Sequence, residues 1–311
     1  MAEGPGRSCP ASYRYGGRAL AAPAALAVEA LWVAGGVYGN RLALERLLEL
    51  YDAEPGPKAL VFNGDFHWFD ADAAEFERVN RQVLEQLATR GNVETELAEP
   101  HAGAGCGCAY PQWVGDGEVE RSNRIMERLR LAAHALPEAL AALRALPAYL
   151  VAEVGSERVA IVHGDADSLA GWGFSQESLA TAAGASAAHA ALRAANARVI
   201  ASSHTCLPVL QRFDGGRVIA NNGAAGMPNF RGAGYGLATR VALRPSPRAL
   251  YAARAGRLHV EAQPIDYDRA AWERRFLELW PAGSEAHRSY YERIVHGPDY
   301  QLARARRTAS P

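Results

Sequence analysis

Short apolar runs that stop at glycine, asparagine or histidine recur along the chain, separated by leucine-rich segments with helical spacing. Residues 31–34 read as a buried strand ending in Gly35-Gly36, and residues 41–51 carry leucines spaced for a helix. The next unit repeats this order: residues 59–62 stop at Asn63-Gly64-Asp65, and residues 74–87 form an amphipathic helical pattern. Three further strand runs follow. Residues 159–162 precede His163-Gly164, residues 198–201 precede Ser202-Ser203-His204, and residues 218–220 precede Asn221-Asn222-Gly223. Apolar strands between helices predict an α/β fold. Its polar residues collect at the C-terminal strand ends, where loops converge on one rim and open α/β sheets bind ligands.

The remaining segments are less regular. Residues 100–111 are rich in glycine and cysteine, and residues 119–146 are helical, rich in alanine, leucine and arginine, and placed to cover a site. Residues 238–244 and 258–262 read as antiparallel closing strands, and residues 267–294 as aromatic-rich terminal helices. The expected organisation is a loosely ordered extension over 1–27 and one domain over 28–265 that includes a helical insert at 100–150. C-terminal helices and a tail follow over 266–311, the last ten or so residues frayed.

Composition narrows the function classes. The 311 residues are 49% hydrophobic, enough for a large core, and the net charge of -1 gives no electrostatic reason for a nucleic-acid or acidic-membrane partner. No segment reaches the ~20 apolar residues of a membrane span. Four cysteines are too few for a disulfide scaffold, which points to a reducing cytoplasm. The alanine-rich stretch 18–37 imitates a secretory signal, but Glu29 interrupts it and its end is needed for the first strand.

The candidate chemistry lies in Asn63-Gly-Asp65, Gly91-Asn92, His163-Gly164 and Ser203-His204-Thr205. Each alone is an ordinary turn signal or a polar residue. Together, two histidines, a carboxylate and an amide oxygen at successive strand ends suit a divalent ion such as manganese, zinc or iron. In this order, over most of residues 30–240, the sequence resembles the calcineurin-like metallophosphoesterases, whose pattern runs D-x-H, G-D, G-N-H, H and G-H-x-H. The resemblance implies a four-layer α/β/β/α sandwich and a phosphatase or phosphodiesterase acting on a small phosphorylated substrate. It aligns Asp65 with the carboxylate that bridges two metals, Asn92 with the amide ligand, His163 with the isolated histidine and His204 with the first histidine of the last motif. Residues 221–228 look like the loop that follows that motif in small bacterial members.

The departures fall on one metal. Gly36-Val37-Tyr38 stands where the family has D-x-H, and Cys206 replaces the second histidine of the last motif. Asp65, Asn92, His163 and His204 are the family's complete protein ligand set for the other metal, so one ion per chain is implied. Val93 replaces the G-N-H histidine that acts on the leaving group, and valine cannot donate a proton. His67, two residues after Asp65, is a candidate proton donor or replacement ligand, or else a histidine packed under Trp68 and Phe69. Tyr38 is a second catalytic candidate or a space filler. Cys206 with Cys106 or Cys108 is a candidate rebuilt second site. Asn40, Gly223 and Arg231 are candidate phosphate contacts, and Glu94 and Glu96 are placed to orient Asn92, to offer a base or to complement a helix dipole. The alternative function is a non-catalytic sensor or interaction protein that binds a metal or a phosphorylated ligand on the same fold.

Overall fold

The computed structural model describes residues 4–308. The strands are β1 (Leu26–Val28), β2 (Ala30–Ala34), β3 (Lys58–Asn63), β4 (Leu87–Thr89), β5 (Tyr149–Val154), β6 (Glu157–Val162) and β7 (Val199–Ser202). They continue with β8 (Val209–Phe213), β9 (Arg217–Asn221), β10 (Gly236–Ala242), β11 (Tyr251–Ala255), β12 (Leu258–Ile265) and β13 (Arg306–Thr308). The helices are α1 (Arg41–Asp52), α2 (Ala73–Leu84), α3 (Asn92–Ala98), α4 (Asp116–His134) and α5 (Pro137–Arg144). After them come α6 (Gln176–Leu179), α7 (Ala182–Ala194), α8 (Arg269–Leu279) and α9 (Glu285–His296).

Two sheets stack face to face. One has seven strands in the order β1-β5-β6-β7-β9-β8-β13, and the other has six in the order β11-β12-β10-β2-β3-β4. The central strands β2, β3, β6, β7 and β9 each hold an unbroken apolar run because both their faces are covered. Leu31, Val33, Ala59 and Val61 of one sheet meet Val159, Ile161, Val199 and Ala201 of the other between the sheets. The alternate residues Trp32, Ala34, Leu60 and Phe62 face outward onto α1, α2, α4 and α8. On the opposite outside, Ala160, Val162, Ile200 and Ile219 pack under α7 and Leu20. This is the α/β/β/α sandwich, and the parallel pairs β2–β3, β6–β7 and β7–β9 bring their C-terminal ends to one rim.

The termini differ from the expectation of a loose extension and a frayed tail. Residues 4–27 carry short 3-10 turns at Ala11–Tyr13 and Gly17–Ala21, bury Tyr13 and Leu20, and lead into β1, which pairs in parallel with β5. Arg7 fastens this segment to the insert by donating to the carbonyls of Pro111 at 2.8 Å and Val114 at 2.7 Å. Near the other end β13 pairs with β8, so the seven-stranded sheet takes its edges from both termini; residues 309–311 lie outside the described residues. The stretch 18–37 contains two strands and a 3-10 turn, and among the described residues no helix is long and apolar enough to cross a membrane.

On β10, buried Arg240 donates to Glu54 at 2.6 and 2.7 Å and to Glu261 at 2.6 Å, joining α1's C-terminal loop to both closing strands. Removing one member of such a buried cluster leaves uncompensated charge. Arg240→Ala is therefore expected to cost about 3–5 kcal/mol of stability, read from denaturant unfolding with an unchanged m-value.

Candidate metal centre

The Gly-Asp and Gly-Asn pairs are there for steric reasons. A Cβ on Gly64 would lie 2.6 Å from Gly91 and from the His163 ring, and one on Gly91 would lie 2.3 Å from Asp65 Oδ1. Two loops leaving β3 and β4 thus touch backbone to backbone, and only glycine permits it. Glu94 locks them together: its buried carboxylate accepts from the amides of Asp65 and Gly91, both at 2.8 Å, and of Phe66 at 3.1 Å. Burial and the nearby Asp65 charge push its pKa up, against those amides. Glu94 is therefore a residue that holds the Asp65 loop, whereas the role considered from sequence was the orientation of Asn92. Glu96 is turned away and takes Tyr13 Oη at 2.7 Å, His101 Nδ1 at 2.9 Å and Arg130, fixing the insert to the N-terminal segment.

Asp65, Asn92, His163 and His204 converge at the rim. His163 Nδ1 lies 2.8 Å from the carbonyl of Asn63, His204 Nε2 lies 3.1 Å from that of Cys108, and Asn92 Nδ2 donates to that of Cys106 at 3.0 Å. A carbonyl only accepts, so these three partners fix both tautomers of the neutral rings and the amide orientation. The atoms left facing inward are acceptors. His163 Nε2 is 3.1 Å from Asn92 Oδ1, 3.2 Å from His204 Nδ1 and 3.3 Å from Asp65 Oδ1. Among the described residues, Asp65, His163 and His204 are the only set of three or more His, Cys, Asp or Glu side chains whose ligand atoms lie within 4.8 Å of one another. Buried lone pairs so close repel unless a cation or a proton sits among them, and two imidazoles, a carboxylate and an amide oxygen are a donor set for a divalent transition ion.

The two rings titrate in opposite directions. Burial, and then the neighbouring His163, push the His204 pKa down to about 3. Burial also opposes charge on His163, but Asp65, at ion-pair distance, outweighs it and moves that pKa up.

The centre opens into a cavity of about 240 Å3 lined by Tyr38, Trp68, Tyr110, Trp172, Tyr290 and Arg293, among others. On the side where the resemblance lacks a metal, Tyr38 Oη lies 2.9 Å from Cys206 Sγ, and burial keeps this phenol protonated. Tyr38, Asp65, His204 and Cys206, all cavity-lining, are four of the seven non-glycine residues with positive φ among those described. Such strain, about 1–3 kcal/mol per residue, persists where surrounding structure enforces it and clusters at functional sites.

Several candidates lie elsewhere. His67 is buried with Nδ1 2.5 Å from Asp70 Oδ2 and its ring stacked on Phe76 at 3.6 Å, so it is a packed histidine and does not reach the centre. After Asp65 the chain turns under Glu94 and is not extended, which cancels the two-residue alternation. Cys106 is buried outside the cavity, so the three cysteines form no common site; Cys108 and Cys206 do line the cavity. Asn40 caps α1 by accepting from Ala43 at 3.1 Å and donates to Gly226 at 2.9 Å. Gly223 lies in a tight turn with φ of 75°, its amide bonded to Asn221, and Arg231 is exposed and paired with Asp299. None of these three lines the cavity. Arg293, Trp172, Tyr110 and Tyr290 do, and they were not foreseen: they come from the insert, the loop after β6 and α9, where no local motif marks them.

The sequence matches no protein-family model and no curated protein. Solved structures are similar in fold. A metallophosphoesterase from Sphaerobacter thermophilus is 17% identical with a TM-score of 0.56, over 87% of this chain and 100% of that one. A hypothetical protein from Pyrococcus horikoshii is 18% identical with a TM-score of 0.59, over 87% of this chain and 99% of that one. The chain has the calcineurin-like phosphoesterase fold, as the motif order implied.

Proposed function

We propose that the protein hydrolyses phosphoesters of a small substrate with a single divalent ion, manganese, zinc or iron, held by Asp65, Asn92, His163 and His204. The observation that carries this reading is the convergence of four buried acceptor atoms, three of them on side chains whose other polar atom is tied to a backbone carbonyl. The fold likeness to a metallophosphoesterase supports the reaction class. When bound, such an ion lowers the pKa of a water toward 7 from about 15.7 and draws charge from a phosphoryl oxygen. The chain's own residues do the rest: Glu94 and the Asn63 carbonyl orient ligands, and Tyr38 bonded to Cys206 fills the other half of the site. We keep the cytoplasm as the working compartment, since the four cysteines are unpaired.

Protein purified without added ions is expected to carry one equivalent of metal and to turn over p-nitrophenyl phosphate or its bis ester with one of the three metals. Two equivalents would overturn the mononuclear reading. A second reading, a sensor that binds a phosphorylated ligand without cleaving it, is favoured by Val93, which is buried at the position of the family's acid. Metal-loaded protein with no turnover on either ester would select it.

A further inference from the structure

Losing one metal position removes positive charge that a phosphoryl group needs, and the cavity contains one basic side chain, Arg293. It stands in the last turn of α9, with Nε donating to the Pro228 carbonyl at 3.1 Å and Nη2 to the Cys206 carbonyl at 2.7 Å. These carbonyls aim the guanidinium without neutralising it, and among the described residues it enters no ion pair; Nη1 is bonded to neither carbonyl. A fixed, unpaired guanidinium on a cavity wall is an oxyanion receptor. Glu118, also on the wall, is engaged by Arg121 at 3.3 Å.

The phosphate oxygens select among phosphoesters. A phosphate shared between an ion and two guanidinium N–H groups uses three terminal oxygens, which a monoester has and a diester lacks. The leaving oxygen is constrained as well. Val93 stands at the family's acid position, His67 is turned into the core, and the hydroxyls of Tyr38 and Tyr110 are engaged by Cys206 at 2.9 Å and Ser122 at 3.0 Å. Water then adds to phosphorus and gives its proton to solvent, while the bond to the leaving oxygen breaks with its electron pair. That oxygen departs unprotonated, which suits the ester of an acidic hydroxyl. The walls fit such a group. Trp172 lies 5.8 Å from Tyr110 and 6.4 Å from Trp113, which is 61% exposed. Trp68 and Tyr290 complete an aromatic lining.

We infer that the cavity takes an aryl phosphomonoester, its phosphate shared between the metal centre and Arg293 and its ring against Trp172, Tyr110, Trp68 and Tyr290. The inference rests on the metal-dependent reading above. The test compares wild type, Arg293→Gln and Arg293→Lys, each loaded with manganese, by metal content, by calorimetric titration with inorganic phosphate, and by kinetics. Arg293→Gln is expected to keep its ion while the phosphate Kd rises at least ~10-fold, with Arg293→Lys intermediate. In wild type, kcat/KM should rise with the acidity of the leaving phenol across substituted phenyl phosphates. It should exceed that for glycerol 2-phosphate by at least ~100-fold, and p-nitrophenyl phosphate should be preferred to its bis ester, a preference lost in Arg293→Gln. Unchanged phosphate affinity in an ion-loaded Arg293→Gln, or rates insensitive to the leaving group, overturns the inference and leaves the metal site standing. Wild type that takes up no ion overturns both. If Arg293→Gln does not fold, wild-type affinity in Arg293→Lys overturns the role of the guanidinium fork.

Discussion

His163→Ala is expected to yield folded protein that no longer retains its ion and has lost its turnover. The ring sits at the middle of the acceptor cluster, within 3.3 Å of the ligand atoms of Asn92, His204 and Asp65, so its removal opens the centre on every side. Changes in the groups that merely orient ligands cost metal sites about 10–100-fold in affinity or activity, and loss of a ligand should exceed that. Metal content by mass spectrometry and p-nitrophenyl phosphate kinetics check it; full ion occupancy in the variant would refute the assignment. The same cluster sets an acid limit for the ion-free wild type. His204 has a folded-state pKa of about 3 against an ordinary 6.5, so the unfolded chain takes up its proton first. The stability this residue contributes is present above about 6.5 and is lost as the pH falls toward 3. His163 acts with the opposite sign: its pKa is raised in the fold, so its contribution is present at low pH and is lost as the pH rises through the folded value. Thermal unfolding of ion-free protein between pH 7 and 4 should show the His204 loss, and bound metal should shift it to lower pH by competing with the proton.

Glu94→Ala should damage both stability and the centre. It strands the amides of Asp65, Gly91 and Phe66, all buried with this carboxylate as partner. At about 1–3 kcal/mol for each unsatisfied buried group, the expected loss is at least ~3 kcal/mol. Freed from Glu94, the loop no longer enforces the left-handed φ of 54° at Asp65, so ion affinity falls too. Glu94→Gln is expected to rescue little, because its amide nitrogen would face amide donors. Denaturant unfolding of ion-free protein isolates the first effect, and metal titration of the folded fraction the second; wild-type values in both would show that the carboxylate is dispensable.

Local sequence determined the strands and helices that build the sandwich's centre. The runs at 31–34, 59–62, 159–162, 198–201 and 218–220 became β2, β3, β6, β7 and β9, because strands buried on both faces carry apolar residues along most of their length. The edge strands β1, β4 and β13 are three residues each and carry no such signature; their pairing comes from the sheet beside them. The convergence of the proposed ligand quartet was legible for a related reason. Each member follows a strand or a glycine that the close packing of two loops requires, so chemistry and backbone sterics mark the same positions.

Tertiary structure alone decided which neighbours of that quartet share the site. His67 is two residues from Asp65 yet faces Phe76 in the core, whereas Arg293, near the other end of the chain, lines the cavity. Spacing predicts a shared face only while the backbone stays regular, and the turn under Glu94 breaks it. The wall contributed by the insert and α9 depends on packing across the whole chain, which leaves no short-range pattern to read.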